Sequence, residues 1–190
     1  MTTSNYTADN RPSEDAIARA KQVRLLALDV DGVLTDGSLY FGADGEHHKG
    51  FSILDGLGIK WLQRSDIDVA IITGRRSQIV IQRAKELGIN HVVQGREDKL
   101  SALTELLDSL NITLEQSAYM GDDLPDLSAI QACGLGIAPN NAHREIKQRA
   151  NYVCTKAGGK GAVREAAEFI LQTQDAYQSL ISQYEFAPDA

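Results

Sequence analysis

The 190-residue sequence predicts an α/β fold in which helices cover both faces of a largely parallel sheet. Short apolar segments alternate along the chain with segments of helical periodicity. Polar residues end or follow four of these apolar segments, as they do where parallel strands end at a common sheet edge. The length suits one domain with a substantial core. Alternating β and α units of this kind join into a doubly wound sheet.

The first part of the chain is predicted to contain a flexible start, a short helix, a strand and a protruding β-hairpin. Residues 1–13 are polar and are expected to be flexible, and a single domain is expected over residues 14–173. Its first elements are a helix at 14–21 and a strand at 25–28. Two strand-like runs then flank Gly42-Ala43-Asp44-Gly45, a typical turn sequence, which predicts a hairpin over about 38–51.

The rest of the domain is predicted to alternate between helices and strands. An amphipathic helix begins near Asp55, and a helix over 77–87 ends at Gly88, a usual C-terminal stop. The other expected strands are 68–73, 91–93, 117–120, 135–138 and 152–154, and the other expected helices are 99–110, 124–132, 143–150 and 162–172. This order predicts a Rossmann-like doubly wound sheet, followed at 174–190 by a C-terminal tail. The tail is expected to be loose by default, and order against a neighbour is the alternative.

Composition and charge argue against several classes of protein. The net charge of −7 disfavours nucleic acid or an anionic membrane surface as a partner. No apolar run reaches the length of about 18 residues that suggests a membrane-spanning helix, and the N-terminus does not resemble a signal peptide. Cys133 and Cys154 are far apart and lack metal-ligand spacing, so buried reduced thiols are expected. These features predict a cytoplasmic protein.

Two aspartates at the end of the first strand are the strongest functional signal in the sequence. Asp29 and Asp31 follow the apolar run at 25–28, and Gly32 comes next. Like charges at the end of a buried strand need something that offsets their repulsion, such as a divalent cation together with a phosphate. In isolation, the same pattern could be a strand end and a turn.

Three later strands carry polar residues at the corresponding place. Thr73 ends the strand at 68–73, Lys99 follows the strand at 91–93, and Asp122, Asp123 and Asp126 follow the strand at 117–120. Taken singly, these could be an ordinary strand end, a solvated helix lysine and the charges of a helix N-terminus. Their shared position after successive strands predicts one site at the carboxyl edge of the sheet.

The order of these motifs resembles the signature of the haloacid dehalogenase superfamily of phosphohydrolases. The matching segments are DVDGVLT at 29–35, ITGR at 72–75, the lysine at 99 and GDDLPD at 121–126, and the resemblance extends over about residues 25–169. It implies hydrolysis of a phosphate ester through an aspartyl phosphate, with Mg²⁺ as the cofactor.

The resemblance also implies a role for each motif residue. Asp29 would be the nucleophile, and Asp31 the general acid and later the general base. Thr73 and Lys99 would contact the phosphoryl oxygens. The protein ligands of Mg²⁺ would be Asp29, the backbone carbonyl of Asp31, and Asp122.

The two remaining acidic residues of the last motif have weaker assignments. We expect Asp123 to lie outside the direct metal ligands and Asp126 to support the loop. For both, a charge at a helix N-terminus is the alternative interpretation.

The spacing of the motifs leaves no room for a cap domain over the site. Asp68 follows Asp31 by 37 positions, and 25 residues lie between Thr73 and Lys99. The predicted hairpin and helices fill both intervals. In the capless phosphatases that the chain resembles, the hairpin joins subunits into a homotetramer, and a neighbouring subunit completes each site. A hairpin packed on its own subunit is the alternative.

The segments FSILDGLG at 51–58 and GKGAVRE at 159–165 narrow the resemblance to phosphatases of small anionic sugar-acid phosphates. It implies hydrolysis of 3-deoxy-D-manno-octulosonate 8-phosphate in lipopolysaccharide biosynthesis. Arginine pairs suit the carboxylate of such a substrate. The implied substrate contacts are Asp31, Ser52, Ile53, Leu54, Asp55, Gly56, Lys60, Arg75, Arg83 and Lys99. The alternatives are a phosphatase for a nine-carbon sugar acid 9-phosphate and a non-catalytic regulatory module.

Overall fold

The computed structural model describes residues 12–185, so most of the segment predicted to be flexible, 1–13, lies outside the described residues. The strands are β1 (Leu25–Leu28), β2 (Tyr40–Gly42), β3 (Gly45–His48), β4 (Asp68–Thr73), β5 (His91–Gln94), β6 (Ser117–Met120), β7 (Leu135–Ala138) and β8 (Tyr152–Val153). Six of them form one parallel sheet in the order β5-β4-β1-β6-β7-β8. The other two, β2 and β3, form the hairpin.

Strand β1 lies at the centre of the main sheet, paired in parallel with β4 on one side and β6 on the other. Its residues are wholly buried and point alternately to the two faces. Leu26 and Leu28 join the core on one face, whereas Leu25 and Ala27 join the core on the other. Strands that are apolar on both faces require a layer of helices on each side.

Helices supply both layers. Those on one face are α1 (Glu14–Ala20), α2 (Ile53–Arg64), α3 (Gln78–Leu87) and α7 (Ala162–Thr173), and those on the other are α4 (Lys99–Leu110), α5 (Leu127–Ala132) and α6 (Arg144–Arg149). The predicted Rossmann-like doubly wound fold is therefore confirmed. In the described chain, only the hairpin and α2 lie between β1 and β4, and only α3 and β5 lie between β4 and α4, so no cap domain is inserted there.

Most helix boundaries follow from local sequence. Helix α3 ends at Gly88, which adopts the left-handed conformation (φ 74°) that stops a helix. The helix predicted over 124–132 is divided into a 3₁₀ turn (Leu124–Asp126) and α5. Asp123 caps the 3₁₀ turn, and Pro125 stands in it where proline is tolerated. Cys133 and Cys154 are free and buried, as predicted. Within residues 12–185, no helix is both long and apolar enough to cross a bilayer.

The hairpin is confirmed, with strands shorter than the predicted 38–51 segment. Its strands β2 and β3 pair antiparallel, and the ring of Tyr40 stacks on that of His48 with their centroids 4.2 Å apart. Several of its apolar side chains are exposed, and Phe41 is 66% exposed. The hairpin therefore presents an apolar surface to solvent in the single chain.

The expectation of a loose C-terminal tail is wrong for residues 174–185. Helix α8 (Tyr177–Ile181) and a 3₁₀ turn (Ser182–Tyr184) fold back onto α2. The rings of Tyr177 and Trp61 meet edge to face at 5.8 Å, and Trp61 Nε1 donates to the hydroxyl of Tyr184 at 3.4 Å. These contacts help to bury Trp61, and burial of such aromatic area orders the tail.

Candidate active site

Asp29 lies directly after β1 and is paired with Lys99. The Asp29 backbone N–H continues the sheet by donating to Met120 O at 3.0 Å, and the residue is only 8% exposed. Lys99 is the first residue of α4, and its Nζ lies 2.5 Å from Asp29 Oδ1. The same ammonium donates to Ile72 O at 2.8 Å, at the end of β4. A buried cation is thus fixed between two strand ends, beside the carboxylate predicted to be the nucleophile.

Three carboxylates converge beside this ion pair. Oxygen atoms of Asp29, Asp122 and Asp126 lie within 4.8 Å of one another. Asp122 has room for its side chain because residue 32 is glycine: a Cβ there would lie 2.0 Å from Asp122 Oδ2, and Gly32 also has φ +92°. Clustered carboxylate oxygens are the donor type that Mg²⁺ prefers.

The electrostatics of this cluster call for additional positive charge. Burial and the charge of Asp126 raise the pKa of Asp29 to about 7, although Lys99 acts in the opposite direction. Burial, together with the charges of Asp29, Asp126 and Asp123, raises the pKa of Asp122 to about 7. A divalent cation among these oxygens would favour their ionised forms, so the residues fit Mg²⁺.

Asp126 holds the loop that carries Asp122. Its Oδ2 accepts hydrogen bonds from the backbone N–H groups of Asp122 (3.1 Å) and Asp123 (3.4 Å), and its Oδ1 accepts one from the Tyr119 hydroxyl (2.8 Å). Asp123 instead caps the following turn by accepting from Leu124 N at 2.8 Å. Asp126 thus combines loop support with a place in the carboxylate cluster.

Asp31 lies beyond the strand end, between two cations. Lys49 Nζ donates to Asp31 Oδ1 at 2.5 Å, and Arg75 Nε lies 3.5 Å from Asp31 Oδ2. Lys49 comes from the hairpin and its side chain is 1% exposed, whereas the Arg75 side chain is 54% exposed. Lys49 is not among the predicted site residues, because the hairpin pattern gives no indication that this lysine folds back onto the strand end.

Lys49 has a second partner, Glu46, which also belongs to the hairpin. Lys49 Nζ lies 2.9 Å from Glu46 Oε1, and the hydroxyl of Ser77 donates to Glu46 Oε2. Burial opposes the ionisation of both groups, but the Ser77 and Lys49 hydrogen bonds lower the pKa of Glu46, and the Asp31 and Glu46 hydrogen bonds raise the pKa of Lys49. Both residues are therefore held in their charged forms.

The motif residues enclose one cavity of about 380 Å³ at the carboxyl edge of the sheet. Its lining consists of Asp29, Asp31, Gly37, Thr73, Gly74, Arg75, Glu97, Lys99, Asp122, Asp123, Pro125 and Asp126. The structure thus brings together all four predicted motifs. A cavity with carboxylates, a lysine and an arginine on its walls can hold a metal ion and a phosphate side by side.

The segment 52–56 lies outside this cavity in the single chain. Ser52 caps α2 by accepting from Leu54 N at 3.2 Å, which explains why the helix begins two residues before Asp55. Ile53 is 83% exposed and Leu54 is 53% exposed. Asp55 is buried and accepts from Arg164 N at 2.9 Å, so its carboxylate ties α2 to the start of α7.

Arg75, Arg83 and Lys60, which are predicted to bind the substrate, lie in three different parts of the chain's surface. Arg75 lines the cavity, whereas Arg83 stacks over Phe51 at 5.8 Å and packs close to Gly56. The Arg83 Nε is buried with no hydrogen-bond partner among the described residues. Lys60 lies in a separate groove with Arg64 and Lys85. One chain alone therefore assembles the metal and phosphate part of the site but brings only Arg75 of these three to it.

Comparisons with known proteins identify the family of the chain. The family model described as haloacid dehalogenase-like hydrolase matches residues 91–166. The 3-deoxy-D-manno-octulosonate 8-phosphate phosphatase KdsC of Yersinia pestis is 50% identical over 163 residues, which cover 86% of this chain and 87% of that protein. The same enzyme of Escherichia coli (strain K12) is 49% identical over 162 residues, which cover 85% of this chain and 86% of that protein.

Solved structures extend the similarity to the whole fold. The crystal structure of 3-deoxy-D-manno-octulosonate 8-phosphate phosphatase from Moraxella catarrhalis, in complex with magnesium ion, phosphate ion and KDO, has a TM-score of 0.88 at 45% identity and covers 90% of this chain and 98% of that chain. The cobalt-bound enzyme of Haemophilus influenzae has a TM-score of 0.82 at 42% identity, covering 84% and 93%. The chain therefore belongs to the haloacid dehalogenase-like hydrolases and, among them, to the 3-deoxy-D-manno-octulosonate 8-phosphate phosphatase family.

Proposed function

We propose that this chain is a Mg²⁺-dependent phosphatase that hydrolyses 3-deoxy-D-manno-octulosonate 8-phosphate to 3-deoxy-D-manno-octulosonate and phosphate. The observation that carries the proposal is the placement of Asp29 beside Lys99 and next to Asp122, with Asp31 two residues further on. The substrate is the one for which the relatives are named. The resemblance implies that the product enters lipopolysaccharide biosynthesis. We propose that the enzyme acts in the cytoplasm.

The proposed reaction divides a slow hydrolysis into two displacements. An Asp29 oxygen bonds to phosphorus while the bond from phosphorus to the sugar oxygen breaks, and Asp31 gives its proton to that oxygen. Asp31 then takes a proton from a water molecule as the water attacks phosphorus, which releases phosphate and restores Asp29. Thr73 and Lys99 line the same cavity and would donate to the phosphoryl oxygens.

Mg²⁺ would be held by the carboxylates of Asp29 and Asp122 together with the backbone carbonyl of Asp31. When bound, it supplies positive charge that neutralises the phosphate and the carboxylates around it. Asp126 lies close enough to share in the cluster, and its hydrogen bonds to the Asp122 loop fit a supporting role.

The sugar-acid part of the substrate needs cations that a single chain does not bring together. Arg75 is at the cavity, and the Arg83 guanidinium, with its unpartnered Nε, is the second arginine suited to a carboxylate. We propose that the chain forms a homotetramer through the hairpin and that a neighbouring subunit completes each site. The exposed side chains of Leu39, Tyr40, Phe41, Ile53 and Leu54 support this proposal.

The test is phosphate release from 3-deoxy-D-manno-octulosonate 8-phosphate, from a nine-carbon sugar acid 9-phosphate and from ordinary sugar phosphates, each with Mg²⁺ and with a chelator. The proposal expects a strong preference for the eight-carbon substrate that the chelator abolishes. A preference for the nine-carbon substrate would show that the assigned substrate is wrong, while the proposed phosphatase mechanism would stand. No phosphate release from any ester would favour a regulatory module.

A further inference from the structure

Lys49 has an environment that is unusual for a residue next to an exposed hairpin strand. It directly follows β3, whose residues are exposed or half-buried, yet its own side chain is only 1% exposed. Its ammonium lies 2.5 Å from Asp31 Oδ1 and 2.9 Å from Glu46 Oε1. A buried ammonium is costly unless it is paired, so these two carboxylates fix where the Lys49 side chain ends.

The pair formed by Lys49 and Glu46 is anchored to the main fold. Ser77 Oγ donates to the second carboxylate oxygen of Glu46, and Ser77 is itself buried as the N-cap of α3. The side-chain amide of Gln94, at the end of β5, bonds both the N–H and the C=O of Ser77 at 3.1 Å. A continuous chain of hydrogen bonds therefore runs from the main sheet, through the hairpin, to Asp31.

Asp31 needs such a support because it lies in the loop after β1 and not within the strand. Its other cationic neighbour, Arg75, is 3.5 Å away and 54% exposed, so it constrains the carboxylate less than Lys49 does. A proton donor works efficiently only when it is held within hydrogen-bond reach of the departing atom, and small displacements are costly in rate.

We propose that Lys49 is a positioning residue that holds the Asp31 carboxyl group where its protonated form can deliver a proton to the leaving oxygen. The inference rests on the proposed function and adds to it a residue of the hairpin. Lys49 acts through its hydrogen bond to Asp31 Oδ1, and Glu46 and Ser77 keep the ammonium in place. The hairpin thereby contributes to the chemical step of its own subunit.

Two aryl esters separate this role from a general structural one. Phenyl phosphate and p-nitrophenyl phosphate share a ring, but phenolate is a poor leaving group that benefits from a proton, and p-nitrophenolate leaves without one. The quantity to compare is kcat/KM, which reports the steps up to formation of the phosphorylated Asp29. We expect Lys49→Met to lower kcat/KM about 10- to 100-fold for phenyl phosphate and less than about threefold for p-nitrophenyl phosphate.

The controls make each outcome decisive. Lys21→Met removes an exposed lysine at the end of α1 and should leave both values unchanged. If Lys49→Met does not fold, Glu46→Gln is the second variant and should give a smaller loss that is again selective for phenyl phosphate. Equal losses on the two esters, or no loss, would overturn the assignment of Lys49. A wild-type chain that hydrolyses neither these esters nor any sugar phosphate would instead contradict the proposed function.

Discussion

The Nζ atom of Lys99 lies 2.5 Å from Oδ1 of Asp29 and only 3.6 Å from Oδ1 of Asp126. One buried ammonium therefore faces two carboxylates of the same cluster. The pKa of Asp29 is still raised to about 7, because burial and Asp126 outweigh Lys99. The site is thus short of positive charge in the chain alone, and a metal ion and a phosphate have complementary places in it.

Replacing Lys99 by methionine should damage both stability and activity. The variant leaves buried carboxylates without their cation, and we expect a loss of about 3 kcal/mol in the free energy of unfolding. It also removes a fixed donor to the phosphoryl group, so kcat/KM should fall about 10²- to 10³-fold. Denaturant unfolding and steady-state kinetics measure the two effects, with Lys21→Met as the control. If the variant had the same kcat/KM as the wild type, the assigned contact of Lys99 with the phosphoryl group would be wrong.

The stabilising effect of Mg²⁺ should depend on pH. The ordinary pKa of an aspartate is 3.8, and Asp29 and Asp122 are raised to about 7, so between these values the folded chain holds more protons than the unfolded chain. Without metal, stability therefore falls as pH rises through this range. Because Mg²⁺ binds the ionised carboxylates and displaces their protons, its effect on Tm should be larger at about pH 8 than at about pH 5.

Asp122→Asn is the variant that tests this pH dependence. It should reduce the gain in Tm with Mg²⁺ and make it less dependent on pH, whereas Asp108→Asn, on the exposed face of α4, should leave both unchanged. Equal stabilisation by Mg²⁺ at the two pH values in the wild type would contradict the assignment of the carboxylate cluster as the metal site.

Gly32→Ala should weaken metal binding as well as the fold. A Cβ at this position would lie 2.0 Å from Asp122 Oδ2, and the residue has φ +92°. We expect a loss of about 1–3 kcal/mol in stability together with a lower affinity for Mg²⁺. Gly45→Ala is the matched control, because Gly45 has φ +111° but no atom within 4 Å of its Cβ position. Isothermal titration should show weaker binding only for Gly32→Ala, and unchanged affinity in both would be evidence against the crowding argument.

Phe41→Glu should reduce the size of the assembly. Phe41 is 66% exposed on the hairpin, and a charge placed there would be buried in the proposed contact between subunits. Sedimentation should show a tetramer for the wild type, smaller species for Phe41→Glu, and a tetramer for Ser109→Glu, which adds the same charge on the exposed face of α4. If the Phe41→Glu variant is still a tetramer, the subunits do not associate through the hairpin.

Features that depend on local pattern or on the geometry of parallel sheets could be predicted from the sequence. Short apolar runs predict the strand that Thr73 ends and the strands that Asp29, Lys99 and Asp122 follow, and parallel strands end at one edge of the sheet. The helix over Lys99–Leu110 matches its prediction because five leucines repeat along one face of that segment.

Features that depend on how distant segments fold back were not predictable. Nothing near Lys49 in the sequence shows that its ammonium reaches Asp31, since this contact depends on the direction in which the hairpin leaves the sheet. The resemblance implies that Asp55 contacts the substrate, whereas its carboxylate is buried against the start of α7, a contact that depends on the packing of α2 on α7. A loose tail is the default expectation for a chain terminus, and the contacts of Tyr177 and Tyr184 with Trp61 depend on tertiary packing that the local sequence does not show.

The most direct test of the proposed mechanism is to trap phosphate on Asp29. The enzyme is mixed with substrate and Mg²⁺, quenched in acid during turnover, and digested for mass spectrometry. The mechanism predicts a phosphorylated peptide containing Asp29, and neither phosphorylation nor turnover in Asp29→Asn, which should keep the fold. Phosphate on another residue, or substantial turnover by Asp29→Asn, would contradict the assignment of Asp29 as the nucleophile.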